Sequence, residues 1–150
     1  MVKRSDVFLK QLVALVDVAA IVAAFLVAYA FRQSLDTFHP LDLISGLEGL
    51  GELTPLDRYL WLLLIILPLW IGMLHAMGAY RELRVKSYQR MAWIVLKASA
   101  FGLLGFGSSV FVLKLHYVSR TFIVLFVLLS VCLLSLERGV LIAWFHLMLR

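Results

Sequence analysis

Four stretches of this sequence are almost unbroken in apolar residues, at roughly 9–31, 59–80, 91–113 and 121–147, with short polar segments between them. Each is long enough to cross a hydrocarbon core, which takes about 20 helical residues. The pattern predicts an all-α fold. The chain is read as a polytopic membrane protein whose four transmembrane helices form an antiparallel bundle, one transmembrane domain covering residues 1–150. Periodicity within the runs adds little, because a helix in lipid is apolar on every side. The interruptions of the runs carry the information.

Five ionisable residues interrupt or edge them: Asp17, His75, Lys97, Glu137 and Arg138. A charge in hydrocarbon is costly, so each wants a partner, water or a nearby surface. Counted along alternating spans, all five fall in the same leaflet. Asp17, Lys97, Glu137 and Arg138 are therefore expected to form a structural charge layer. In it the acidic pair meets the basic pair, and Lys97 reaches toward the surface. A polar pocket for an anionic headgroup is the competing reading. Asp17 is expected to pair with Lys97 or Arg138.

Pro68 stands mid-span in the second run and predicts a kink, since it removes one backbone hydrogen bond. Ala98, Gly102, Gly105 and Ser109 fall on one face of the third span. Small residues on one face let another helix approach closely. Packing inside the bundle is expected, with a contact in a homo-oligomer as the alternative.

Composition agrees with a membrane chain. Hydrophobic residues make up 63% and charged residues 15%, against about 45–50% and 25% in soluble domains. The one cysteine, Cys132, excludes an internal disulfide and is expected to be a small packing residue. Lys10 and Asp17 break the early part of the first run, so it reads as a retained helix and not as a cleaved signal.

The distribution of charge says more than its net value of +5. Lys3, Arg4 and Lys10 precede the first span. Asp36, Asp42, Glu48, Glu52 and Asp57 dominate the connection after it. Arg81, Arg84, Lys86 and Arg90 follow the second span, and the third connection holds Lys114, His116 and Arg120. Lys and Arg concentrate on the cytoplasmic side of membrane proteins. Both termini are therefore expected in the cytoplasm, with the bilayer as partner and no nucleic acid.

No catalytic motif of a soluble enzyme is present: no phosphate loop, HExxH, CxxC or nucleophile elbow. Asp36, His39 and Asp42 have spacing that suggests a metal, but Pro40 breaks any helix there, and a solvated acidic loop is expected. Leu41, Ile44, Leu47, Leu50 and Leu53 suggest a short interfacial segment. No catalytic, cofactor-binding or metal-binding residue is assigned, and the chain alone is not expected to be an enzyme.

Several short motifs nonetheless recur in a telling order. Asp17 lies in the first span, and Ala28-Tyr-Ala-Phe-Arg32 ends it. Gly78-Ala-Tyr-Arg-Glu-Leu-Arg84 follows the second. Ser119-Arg120 precedes the fourth, and Leu136-Glu-Arg138 comes late in it. This order resembles the N-terminal four-helix membrane region of the large bacterial polyprenyl-phosphate glycosyl-1-phosphate transferases. Those enzymes initiate exopolysaccharide, capsule or O-antigen synthesis by transferring sugar phosphate from a nucleotide sugar to undecaprenyl phosphate.

The resemblance implies a membrane-anchoring and oligomerisation region in the bacterial inner membrane. It also implies a C-terminal cytoplasmic catalytic domain, absent from these 150 residues, with magnesium as that domain's cofactor. The family's catalytic Asp-Glu pair is not carried over, since Glu137 precedes an arginine. The membrane region of a nucleotide-sugar dehydratase is similar, and a stand-alone four-helix protein that binds lipid or solute is the other alternative.

Overall fold

In a computed structural model of the chain, residues 2–37, 55–80 and 88–148 are described. They form five helical segments: α1 (Val2–Thr37), α2 (Leu56–Leu60), α3 (Leu63–Ala76), α4 (Tyr88–Val112) and α5 (Arg120–Met148). No strand occurs among the described residues. Four stretches, Lys10–Ser34, Leu56–Ala76, Tyr88–Val112 and Arg120–Trp144, are long and apolar enough to cross a membrane. The predicted runs and these spans coincide to within a few residues, while α1 as a helix starts seven residues before Leu9, at Val2, and continues six past Phe31, to Thr37.

Helices α2 and α3 act as one span. Trp61 and Leu62 between them keep helical dihedrals. The turn tightens there, as bonds from Leu62 N–H to the Tyr59 carbonyl and from Leu64 N–H to that of Trp61 show. Pro68 lies inside α3, which runs unbroken past it to Ala76. Separately from the proline, the regular ladder is interrupted at Trp61–Leu62, between α2 and α3.

The helices alternate in direction, as their contacts require. Asp17, early in the span Lys10–Ser34, meets Arg138, late in the span Arg120–Trp144, and Tyr80, just past the end of α3. Arg32, near the end of α1, meets Ser119, just before α5. The near end of the bundle therefore holds the start of α1 and the end of α5, and the far end holds the connection between α4 and α5. In cross-section α1 packs against α5 and α3, while α4 packs against α3 and α5.

Each helix buries one stripe. In α1 it runs Val13, Asp17, Ile21, Phe25, Ala28, Arg32; in α5 it runs Phe122, Phe126, Ser130, Leu134, Arg138. Spacings of three and four keep each stripe on one face. An aromatic layer fills the middle. Phe25 meets Phe122 edge-on with centroids 5.1 Å apart, and Trp70 meets Phe126 at 5.1 Å. Such pairs favour edge-to-face geometry, because the positive ring edge meets the negative face.

Two helix ends are closed by the same device. After α3, the Gly78 N–H bonds the His75 carbonyl and the Ala79 N–H bonds the Leu74 carbonyl. This satisfies carbonyls that the helix leaves without partners. It requires a left-handed residue, and Gly78 supplies it at φ 74°. After α4, Lys114 takes that place at φ 51°, with the Leu115 N–H bonded to the Val110 carbonyl.

Candidate functional site: two buried polar clusters

The stripe on α1 carries a polar residue near each end. Asp17 and Arg32 stand fifteen positions apart, about 22 Å along a helix, and both are fully buried. Each anchors a cluster, one on either side of the aromatic layer.

At the near end, Arg138 Nη2 donates to both Asp17 oxygens, at 2.8 Å to Oδ1 and 2.6 Å to Oδ2. The Tyr80 hydroxyl donates to Asp17 Oδ2 at 2.6 Å. The guanidinium also lies over the Tyr80 ring, 5.6 Å from its centroid. Tyr80 reaches this position because the Gly78 turn folds the chain back and buries Ala79 beneath it. A charge-assisted hydrogen bond is shorter and stronger than a neutral one, and here one carboxylate accepts from both a guanidinium and a phenol.

Glu137 sits beside this group, with Oε1 3.9 Å from Arg138 Nη1. Its two carboxylate oxygens are buried and have no hydrogen-bond partner, and the same holds for Arg138 Nε and Nη1. The cluster thus sets two carboxylates against one guanidinium. Three of the four residues expected in the charge layer, Asp17, Glu137 and Arg138, come together.

Lys97 does not join them. It is exposed on α4, with its ammonium 5.6 Å from the centroid of the Trp93 ring. The reason is register. Ala98 and Ser99 are the residues that α4 turns into the bundle, so the position before them points outward. His75 is also exposed, its ring 6.0 Å from that of Tyr80.

At the far end, Arg32 Nε donates to Ser119 Oγ at 3.4 Å. The Tyr59 hydroxyl accepts from the Ser119 N–H at 3.1 Å and donates to the Tyr117 carbonyl at 3.1 Å. One phenol thus ties the start of the second span to the connection before α5. Tyr29 and Tyr117 pack edge-on against Tyr59.

The small-residue face of α4 receives α3. A Cβ on Gly102 would meet the Trp70 ring at 3.1 Å, and one on Gly105 would meet Leu69 at 3.0 Å. Ala98 is fully buried, and Ser109 turns its hydroxyl back to the Gly105 carbonyl at 2.8 Å. Within this chain the face serves packing inside the bundle. Cys132, by contrast, is exposed on α5 and fills no core position. It falls two residues past Ser130, on the far side of the helix from the buried stripe.

Among the described residues no group of three His, Cys, Asp or Glu side chains is placed to hold a metal ion. Asp36 belongs to the end of α1; His39, Asp42 and the Leu41–Leu53 segment lie outside the described residues.

The residues that sequence reasoning left out of the site are Tyr80, Arg32, Ser119 and Tyr59. Arg32 follows directly on Phe31, where the apolar run stops, so the run alone does not mark it as buried. Its distance from Asp17 was the available signal, since fifteen positions is close to four helical turns.

The chain is thus a bundle of membrane-spanning length whose helices are tied by a buried polar cluster near each end. Comparison with protein-family models, with curated proteins and with solved structures finds no match.

Proposed function

We propose that this chain is the membrane-anchoring and oligomerisation region of a polyprenyl-phosphate glycosyl-1-phosphate transferase of the bacterial inner membrane, with both termini in the cytoplasm. The observation that carries the reading is the use made of the recurring residues. Asp17, Tyr80 and Arg138 bind one another, and Arg32 binds Ser119. The short motifs that carry the resemblance are therefore the ones that hold the helices in place. That is what an anchor asks of them, and it leaves sugar-phosphate transfer to a cytoplasmic domain. The orientation rests on the sequence: Lys3, Arg4 and Lys10 precede the first span, and Arg81, Arg84, Lys86 and Arg90 stand between the second and third.

An antibody raised against residues of the first connection tests the reading in native membranes. The expected species is several times heavier than 17.0 kDa. Purified, that species releases a nucleoside monophosphate from a nucleotide sugar only when undecaprenyl phosphate and magnesium are supplied. A native species of 17.0 kDa overturns the proposal in favour of a stand-alone membrane protein. Alkaline phosphatase activity from a fusion after Arg150 overturns the orientation.

A further inference from the structure

The outward face of α4 carries a stripe that the bundle does not use. Arg90, Trp93 and Lys97 recur at intervals of three and four, which places them on one side of the helix. All three are exposed. The buried side of α4 is a different set: Met91, Val95, Ala98, Ser99, Gly102 and Phe106.

Lys97 lies nine positions into a span that begins at Tyr88, about 13 Å by helical rise. Side chains on a helix lean toward its N-terminus, which for α4 is the near end of the bundle. The Lys97 ammonium follows that lean and lies 5.6 Å from the Trp93 ring centroid, one turn closer to the boundary. This is the geometry of a lysine that keeps its stem in hydrocarbon and carries its charge toward the headgroups, resting on an aromatic face. Trp side chains favour that interfacial level.

Among the described residues no carboxylate lies within ion-pair distance of Arg90 or Lys97. Asp17 and Glu137 face Arg138 inside the bundle. What surrounds an outward face of a spanning helix is lipid, and the anion that lipid offers is a phosphate.

We propose that Arg90, Trp93 and Lys97 form a binding stripe for the phosphate of an anionic glycerophospholipid of the phosphatidylglycerol type. Arg90 offers a planar fork of donors to the phosphate oxygens. Lys97 adds a point charge from below, and the Trp93 indole carries the ammonium between them. A lipid with a cationic headgroup presents the same phosphate beside a positive charge, which two cations disfavour. The inference does not depend on the anchor reading.

The test uses the full chain in bilayers, with Trp61→Phe and Trp144→Phe leaving Trp93 as the exposed indole. Brominated phosphatidylglycerol and brominated phosphatidylcholine are compared as quenchers at equal mole fraction. The expected preference for phosphatidylglycerol is about fivefold per cationic group. It falls to parity in Arg90→Gln with Lys97→Gln, and it survives in the charge-preserving Lys97→Arg. Arg120→Gln, at the far end, leaves it intact. Equal quenching by the two lipids in the unsubstituted stripe overturns the proposal. So does a preference that persists in the double glutamine variant with its helicity unchanged.

Discussion

Asp17 and Arg138, 121 positions apart, meet with both carboxylate oxygens on a single guanidinium nitrogen, at 2.8 and 2.6 Å. The contact joins α1 to α5, the first helix to the last. Loop closure over so long a separation costs entropy, which the packing of the helices between them offsets.

The pair is held in an apolar setting, and its two members are not equivalent. Removing Arg138 leaves Asp17 and Glu137 buried with no cation beside them among the described residues. Breaking a buried pair in this way costs about 3–5 kcal/mol. Asp17→Asn keeps an oxygen for the Tyr80 and Arg138 donors and leaves Glu137 facing the guanidinium, so about 1 kcal/mol is expected. Replacing both partners with leucine removes the desolvation problem altogether and is expected to cost less than Arg138→Ala alone. Titration of the protein from mild detergent into dodecyl sulfate, followed by far-ultraviolet circular dichroism, ranks the three variants. An Arg138→Ala chain as stable as Asp17→Asn contradicts this account.

Gly102 and Gly107 differ in what faces them. A Cβ on Gly102 meets three atoms of the fully buried Trp70 ring at 3.1 Å, whereas one on Gly107 meets nothing within 4 Å. Gly102→Val is therefore expected to lose about 2–3 kcal/mol through overpacking, and Gly107→Val to change stability by under about 0.5 kcal/mol. The same unfolding titration separates them. A large loss at Gly107 means that another protein surface covers the outward face of α4, which revives the oligomer reading for that side of the helix.

How much of this was legible in the sequence follows from what hydrocarbon hides and what it reveals. The spans were readable because length and apolarity alone decide them. Which face of each span turns inward was not, since Leu103 and Leu104 outside and Val95 and Phe106 inside look alike as hydrophobic residues. Asp17 and Arg138 could be read, because a charge in a span points inward or binds a partner. Lys97 reaches toward the surface as its long stem allows, but its register on α4, which the sequence does not show, keeps it out of the Asp17 cluster. Tyr80 was out of reach, because its place depends on the Gly78 turn and not on any periodicity. The tightened turn at Trp61–Leu62 was not legible either, because neither residue is a helix breaker.

The left-handed residues after α3 and α4 give a pair of opposite expectations. Gly78 occupies φ 74° at no steric cost, while Lys114 occupies φ 51° with a Cβ. A non-glycine residue in that region costs about 1–2 kcal/mol. Lys114→Gly is expected to raise stability by up to about 1 kcal/mol, the larger freedom of glycine in the unfolded chain offsetting part of the gain. Gly78→Ala should lose at least about 1 kcal/mol. It should also weaken the near-end cluster, because Tyr80 hangs from that turn. In a cycle with Tyr80→Phe, Gly78→Ala then costs less on the phenylalanine background. Additive losses in the cycle would show that the turn and the Tyr80 hydrogen bond are independent.

Cys132 is exposed on the protein but lies deep in a span. It stands twelve positions (132 minus 120) beyond Arg120, the first residue of α5, about 18 Å by helical rise. Water is absent from that depth of a bilayer, so the thiol faces acyl chains. A charged maleimide is expected to leave Cys132 unmodified in intact bilayers, while a lipophilic pyrene maleimide modifies it there. Both should react once dodecyl sulfate has opened the bundle. Rapid modification by the charged reagent in intact bilayers would place Cys132 in water and contradict the assignment of Arg120–Trp144 as a membrane span. Protection from the lipophilic reagent as well would mean that protein, not lipid, covers the outward face of α5. That result would give this helix a contact between copies of the chain.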